Sequence, residues 1–404
     1  MIWRTAIVVA RWLTLVSCFA AMAACTGRVP EHLASGASKA PKETSSPSFP
    51  RLEGVYRQPG RSFEVTYQGW WVDLRSQQLR QLTGAGGGTF TYGPGWQDPA
   101  PVQGRLRFSL DAAGTPRRVT GVGPGGVSVD AVRLQVSQRN VRFPSRGAVL
   151  AGTLSIPPGP GPHPGIVILE GSGALDRHFE SLSQGIYLSM GFAVLAYDKR
   201  GVGASTGVFP GELATTSSIG IFAEDAVAAT RFMMAQRDVN KRLVGFDANS
   251  QGGWVAPLAA ERIPGLRFAI MIASPAVTTD QQGFYASLSG DSQYVPSQSE
   301  HSIDASVRNA TGGYDPAPAL AAFRIPAIWI YGQLDRQVPV RVSVANLAAH
   351  HDPDWTVAVL KGGSHGLIAT RQGLDTELAT ATRFAPGYFA ALRSWVAAHI
   401  TFRR

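Results

Sequence analysis

Serine acyl transfer needs a hydroxyl nucleophile, a base to take its proton and an acid to orient the base, and the chain offers Ser250, His365 and Asp335. Ser250 lies in "RLVGFDANSQGGWVAPLAAE", Arg242 to Glu261, where an apolar run breaks at small residues and helical spacing takes over. That pattern predicts a strand, a tight turn at the serine and a helix. Ala248, Gly252 and Gly253 suit a turn whose backbone must pass close to its neighbours, and the helix N-terminus is then aimed at the serine oxygen. Asp335 stands just past the apolar run "IWIYG" and His365 just past "VAVLKGGS", giving the order serine, acid, histidine at successive strand ends. Other histidines fit less well: His301 lies in a polar insertion, His350 and His351 end a helix, and His399 is in the last helix. Asp352 and Asp354, ahead of the final strand, are the alternative acids. The negative oxygen formed during acyl transfer needs two amide donors, expected from Gln251 and from Ser172 in "EGSGALDR".

The elements that must hold these residues fall into two rhythms. Residues 51–136 alternate apolar and polar positions in short runs such as "SFEVTYQGWW" and "RLRFSL", broken at "TGAGGG", "DAAG" and "GPGG". They predict a small antiparallel β domain, with Trp70, Trp71 and Trp96 in its core. From 137 to 404, continuous apolar strands such as "PGIVILEGSG", "FAVLAYDKRG" and "LRFAIMIASPA" alternate with amphipathic helices. This predicts a mostly parallel sheet covered on both faces, with ligands at the carboxyl ends of its strands. A polar, serine-rich insertion, 277–324, interrupts the series before the strand that carries the acid, where a short cap over an open pocket is expected.

The first 25 residues carry Arg4 and Arg11, an apolar run from Trp12 and small residues ending at Cys25, the pattern of an export signal. Ala23 and Ala24 before Cys25 resemble a bacterial lipobox, which predicts a lipid anchor on that cysteine and a place in the cell envelope; Cys18 is the poorer candidate. Residues 26–50, rich in Ser, Ala and Pro, read as a flexible tether. The two cysteines both lie in the leader, so neither a disulfide nor a cysteine nucleophile is expected in the folded part. The formal charge is +9, and setting aside Arg4 and Arg11 leaves +7, mostly as scattered arginines. Scattered charge is not a nucleic-acid footprint. No metal or cofactor is expected, since no cluster has ligand spacing and "DKRGVGAS" lacks the ending of a phosphate-binding loop.

Taken together, "GSGALDR", "AYDKRGVGASTG", "ANSQGGW", "YGQLDRQVP" and "GGSHG" resemble the α/β-hydrolase fold, and within it bacterial exported esterases related to serine aminopeptidase-like hydrolases, over about residue 140 to the end. The resemblance implies an eight-stranded sheet and a serine carboxylesterase acting on small to medium acyl esters. A peptidase or acyl thioesterase on the same triad is the nearest alternative, and a non-catalytic binding protein the more distant one. Three residues depart from the family pattern: Ala248 for the usual glycine, Asn249 for the frequent histidine, and Glu170 where a histidine usually precedes the oxyanion glycine. A carboxylate there would oppose the oxyanion, so Glu170 is expected to pair with Arg177, Lys199 or Arg200.

Overall fold

The computed structural model describes residues 48–350 and 352–400, so the expected leader, its cysteines and the tether up to residue 47 lie outside the described residues. Helix α1 (Phe49–Leu52) begins two residues before the boundary expected at residue 51. Antiparallel strands follow: β1 (Gly54–Gln58), β2 (Arg61–Val65), β3 (Trp70–Asp73), β4 (Leu79–Gln81), β5 (Thr83–Gly84), β6 (Thr89–Tyr92), β7 (Gly104–Leu110), β8 (Pro116–Gly123) and β9 (Val127–Arg133). They form one nine-stranded sheet in the order β4-β3-β2-β1-β9-β8-β7-β6-β5. Only Leu82 separates the two edge strands, so the sheet curls until its edges come together, which leaves no long open edge.

Successive side chains of a strand point to opposite faces; in β1–β4 both faces hold buried side chains, while β7–β9 bury one face and expose the other. Tyr56, Phe63, Trp71, Phe90 and Phe108 fill the inside of the curl. Their neighbours Val55 and Val72, with Leu74, Leu79 and Trp96, instead join a cluster containing Ile166, Ile168, Tyr187 and Phe192 of the second sheet and its helices. The expected core position of Trp71 and Trp96 is met, while Trp70 is half-buried and meets Trp96 edge-on at 4.8 Å.

The second half runs β10 (Ser137–Ser145), β11 (Ala148–Ile156), β12 (His163–Leu169), α2 (Ser181–Met190), β13 (Ala193–Tyr197), α3 (Thr216–Met234), β14 (Val239–Asn249), α4 (Gly252–Ala260) and β15 (Phe268–Ile272). It continues with α5 (Thr279–Ser289), α6 (Glu300–Asn309), α7 (Ala317–Ala322), β16 (Ala327–Gly332), α8 (Val340–His350), β17 (Trp355–Leu360) and α9 (Tyr388–His399). The eight-stranded sheet has the order β10-β11-β13-β12-β14-β15-β16-β17, with the pairs from β13 to β17 all parallel. One face packs on Phe222 of α3 and on Trp254 and Val255 of α4. The other packs on Tyr187 of α2, on Phe389, Leu392 and Trp395 of α9, and on the first sheet.

The segment expected to be a short cap, 277–324, holds three helices. A capping box explains the first: Thr278 accepts from the Gln281 amide while the Gln281 side chain accepts from the Thr278 amide.

Because the two sheets share one apolar layer, Trp96→Ala is expected to cost about 3–5 kcal/mol. Denaturant unfolding followed by tryptophan fluorescence and by far-ultraviolet circular dichroism should show one coincident transition at lower denaturant; two separate transitions would mean that the first sheet is an independent unit.

Candidate active site

Strand β14 delivers the chain to Ser250, whose φ of 48° is left-handed, a conformation that costs a residue with a side chain about 1–3 kcal/mol. Its surroundings hold it there. The Ser250 amide donates to the Ile272 carbonyl at the end of β15 (2.9 Å), and the Gly253 amide donates back to the Ser250 carbonyl (2.8 Å). The small residues have the expected use: a Cβ on Gly252 would stand 2.6 Å from the Leu169 carbonyl oxygen. The loop after β12 lies directly against the serine, since a Cβ built on Gly171 would be 3.4 Å from the Ser250 Cβ. Asn249 also has a task. Its Nδ2 donates to Asp247 (3.1 Å), whose other oxygen accepts from the Tyr187 hydroxyl (2.8 Å). Burial pushes the Asp247 carboxyl up to about 6, opposed by bonds from Tyr187, Asn249 and Ser183.

At the carboxyl end of β16, Asp335 is buried and fully engaged. Its Oδ1 accepts from the amides of Gln337 (2.8 Å) and Val338 (2.9 Å), and its Oδ2 meets His365 Nδ1 at 2.8 Å. The turns bearing the two residues are stitched together, with the Leu334 amide donating to the Gly363 carbonyl (2.8 Å). Above them, the Tyr285 hydroxyl of α5 donates to the Asp335 carbonyl (2.8 Å). Burial acts to lower the His365 pKa, but the carboxylates of Asp335, Asp291 and Asp375 outweigh it and hold the imidazole above its ordinary value. The alternative acids stand at the other end of the sheet: Asp352 faces Arg324 (3.4 Å) and accepts from the Asp354 amide (3.0 Å), ahead of β17. His301 is exposed on α6, and His399 is stacked on Trp395 of α9.

The expected oxyanion donors, the Ser172 and Gln251 amides, have no hydrogen-bond acceptor among the described residues. Between their loops lies buried Lys199, just past β13. Its Nζ donates to the carbonyls of Gly171 and Gly173 (2.9 Å for the latter) and to Gln251 Oε1 (3.3 Å).

The ion pair expected for Glu170 does not form. Asp198 takes Arg177 through two bonds (2.8 and 2.7 Å), and Asp225 takes Arg200 (2.8 and 2.6 Å), so neither guanidinium is left for Glu170. Lys199 is turned to the loop carbonyls instead. Glu170 is buried, its Oε2 has no partner, and burial drives its pKa far above the carboxylate range against the pull of Lys199. Burial therefore favours the protonated form of this acid.

The sequence pattern offers Lys199 only as a possible partner of Glu170, and it does not single out Asp291, 74 positions before His365, or Asp375, ten positions after it. Only Lys199 left a signal, as a cation next to an apolar strand in "FAVLAYDKRG". A broader groove of about 660 Å³ between β10 and α3, lined by Phe143, Arg146 and Phe232, contains none of the candidate catalytic side chains.

Residues 165–297 match the family model for serine aminopeptidase, S33. Esterase EstD of Thermotoga maritima is 30% identical over 217 residues, which are 47% of this chain and 50% of that protein. The chain thus spans about half the length of the curated relative it matches. Among solved structures, a Pyrococcus furiosus esterase is similar at 15% identity and a TM-score of 0.47, over 66% of this chain and 92% of its own. The dienelactone hydrolase of Anabaena variabilis is similar at 16% identity and a TM-score of 0.43, over 66% of this chain and all 100% of its own. With the eight strands in this order and a serine turn at the carboxyl end of β14, within the matched segment, the second half of the chain has the α/β-hydrolase fold.

Proposed function

We propose that the protein is a serine carboxylesterase for small to medium acyl esters, with Ser250 as nucleophile, His365 as base and Asp335 as the acid that orients it. The observation that carries this reading is the 2.8 Å bond between His365 Nδ1 and a buried carboxylate, at the same rim as a serine held at positive φ. With Nδ1–H donated to Asp335, the other ring nitrogen is left as a base. It takes the Ser250 proton as Oγ bonds to the ester carbonyl carbon, and the charge on the carbonyl oxygen falls to the amides of Gln251 and Ser172. His365 then protonates the leaving alcohol, and water, activated by the same nitrogen, releases the acid from Ser250.

The aminopeptidase family match favours amide hydrolysis as a second reading, because esters and amides pass through the same tetrahedral intermediate. Rates on matched ester, aminoacyl-anilide and acyl-thioester substrates decide among the three. The leader supports a further proposal, export to the cell envelope with a lipid anchor on Cys25. The small-molecule ester remains the proposed partner.

A fluorophosphonate probe should label wild-type protein on Ser250, and Ser250→Ala should lose label and lower kcat on p-nitrophenyl butyrate by at least about 10³-fold. Retained turnover in that variant would remove the nucleophile from the scheme. The imidazole must be neutral to act, so activity falls as pH drops through the His365 pKa. Asp291→Asn together with Asp375→Asn removes two carboxylates that raise it, and the acid limb of kcat/KM should move to lower pH; an unmoved limb would mean that they do not act on the base. Glu170→Gln should leave kcat nearly unchanged at neutral pH, because the amide copies a protonated acid. An ionised carboxylate ~5 Å from the oxyanion would oppose it by about 3 kcal/mol, so a gain in kcat of roughly 100-fold would show that Glu170 is charged.

A further inference from the structure

We propose that Lys199, in its ammonium form, is a positioning residue that holds both arms of the oxyanion hole at once through its bonds to Gly171, Gly173 and Gln251. The inference rests on the serine-hydrolase reading above and concerns how its two amide donors are aimed.

Geometry makes the argument. A peptide unit is planar and trans, so the carbonyl of one residue and the amide of the next point in opposite directions. The Gly171 carbonyl and the Ser172 amide belong to one such unit. A donor that fixes the carbonyl therefore fixes the N–H, aimed away from Nζ. Gly173, one residue beyond Ser172, is held by the same nitrogen at 2.9 Å, so the loop is clamped on both sides of its donor. The third bond, to Gln251 Oε1 at 3.3 Å, reaches the residue that supplies the other donor. An ammonium has three N–H groups and no acceptor, and three acceptors surround this one. A neutral amine has only two N–H groups and must release one. A positive charge on the carbonyl also polarises the peptide and strengthens its N–H as a donor.

The pocket around Lys199 keeps the cation in place without a charged partner at its head. Its Nζ lies 4.9 Å from the centre of the Phe222 ring. A cavity of about 20 Å³, room for one water, is bounded by Lys199, Glu170, Tyr197, Phe222 and Gln251, together with Leu169 and Val255. The charged and titratable groups nearby are Glu170 at the end of β12, Glu180 before α2, Glu212 before α3, and Tyr197 on β13. Asp198, Arg177, Asp225 and Arg200 are occupied with one another. Burial lowers the Lys199 pKa to about 8, opposed by Glu170, Glu212 and Glu180, so the third donor is lost just above neutral pH.

The test compares wild type, Lys199→Met and Lys199→Arg for kcat and KM on p-nitrophenyl butyrate from about pH 6 to about pH 10, with melting temperatures and fluorophosphonate labelling of Ser250 measured in parallel. The expected result is a wild-type kcat that falls above about pH 8, and a folded Lys199→Met with kcat down about 10- to 100-fold, KM within about threefold and no alkaline limb. Lys199→Arg, which keeps the charge and the donors, should recover part of kcat and carry no limb near pH 8. A folded Lys199→Met with wild-type kcat and an unchanged alkaline limb would overturn the proposal. If that variant does not fold, the wild-type profile decides: kcat constant up to about pH 9.5 overturns it, and a fall near pH 8 at constant KM supports it. Wild-type protein that neither turns over ester nor takes the probe overturns the serine-hydrolase reading itself, and the role of Lys199 with it.

Discussion

One residue in a disfavoured backbone conformation organises the candidate site. Ser250 stands at φ 48° because strand β14, the Ile272 carbonyl of the neighbouring strand and the first turn of α4 together leave the chain no other path. Such strain persists only where the surroundings over-determine it. Here they do so with backbone: Leu169 is so close that position 252 has no room for a Cβ, and Gly171 lies against the serine from the other side. The parallel sheet is the source of the constraint. Its strands end at one rim, so the turns after β12, β14, β15, β16 and β17 must share a small volume, and the candidate nucleophile, acid, base and amide donors come from those turns.

Buried charge at this rim is handled in two ways. Asp198 with Arg177 and Asp225 with Arg200 are paired through forked bonds in which each carboxylate meets a planar guanidinium. These pairs pin the loop after β12 and the loop after β13, and the Asp198 carboxylate also takes the Ala204 amide (2.8 Å). Glu170 has no such partner, and burial in a dry site favours its protonated form. Asp247 is intermediate: three hydrogen bonds oppose the effect of burial.

The first sheet is bound into this arrangement as well as into the core. Gln68 donates to the carbonyls of His178 (3.1 Å) and Phe179 (3.2 Å), and the Tyr67 ring stacks on His178 at 4.2 Å, which steadies the loop between β12 and α2. On the other side, the amides of Leu79 and Trp96 donate to the carbonyls of Thr382 (3.0 Å) and Ala381 (2.7 Å), in the stretch that follows His365. The sheet thus braces the two loops that leave the rim, a task its alternating sequence does not reveal.

The sequence by itself determined the kinds of element and their order along the chain. Periodicity of 2 and of 3.6 records which faces are buried, and that is a local property of the chain. The turn at Ser250 and the strand ends at Asp335 and His365 were legible for the same reason, since glycines beside apolar runs mark a tight exit from a strand. The tertiary structure alone decided which charges meet. Arg177, Lys199 and Arg200 are equal candidates for Glu170 in one dimension; Asp198 and Asp225 claim the two arginines, and the lysine turns to carbonyls. The helices of 277–324 and the two-faced burial of β1–β4 were equally hidden. Pairing, burial and protonation depend on distances across the fold, and residues such as Asp291 and His365, dozens of positions apart, acquire those distances only when separate stretches of the chain are brought together.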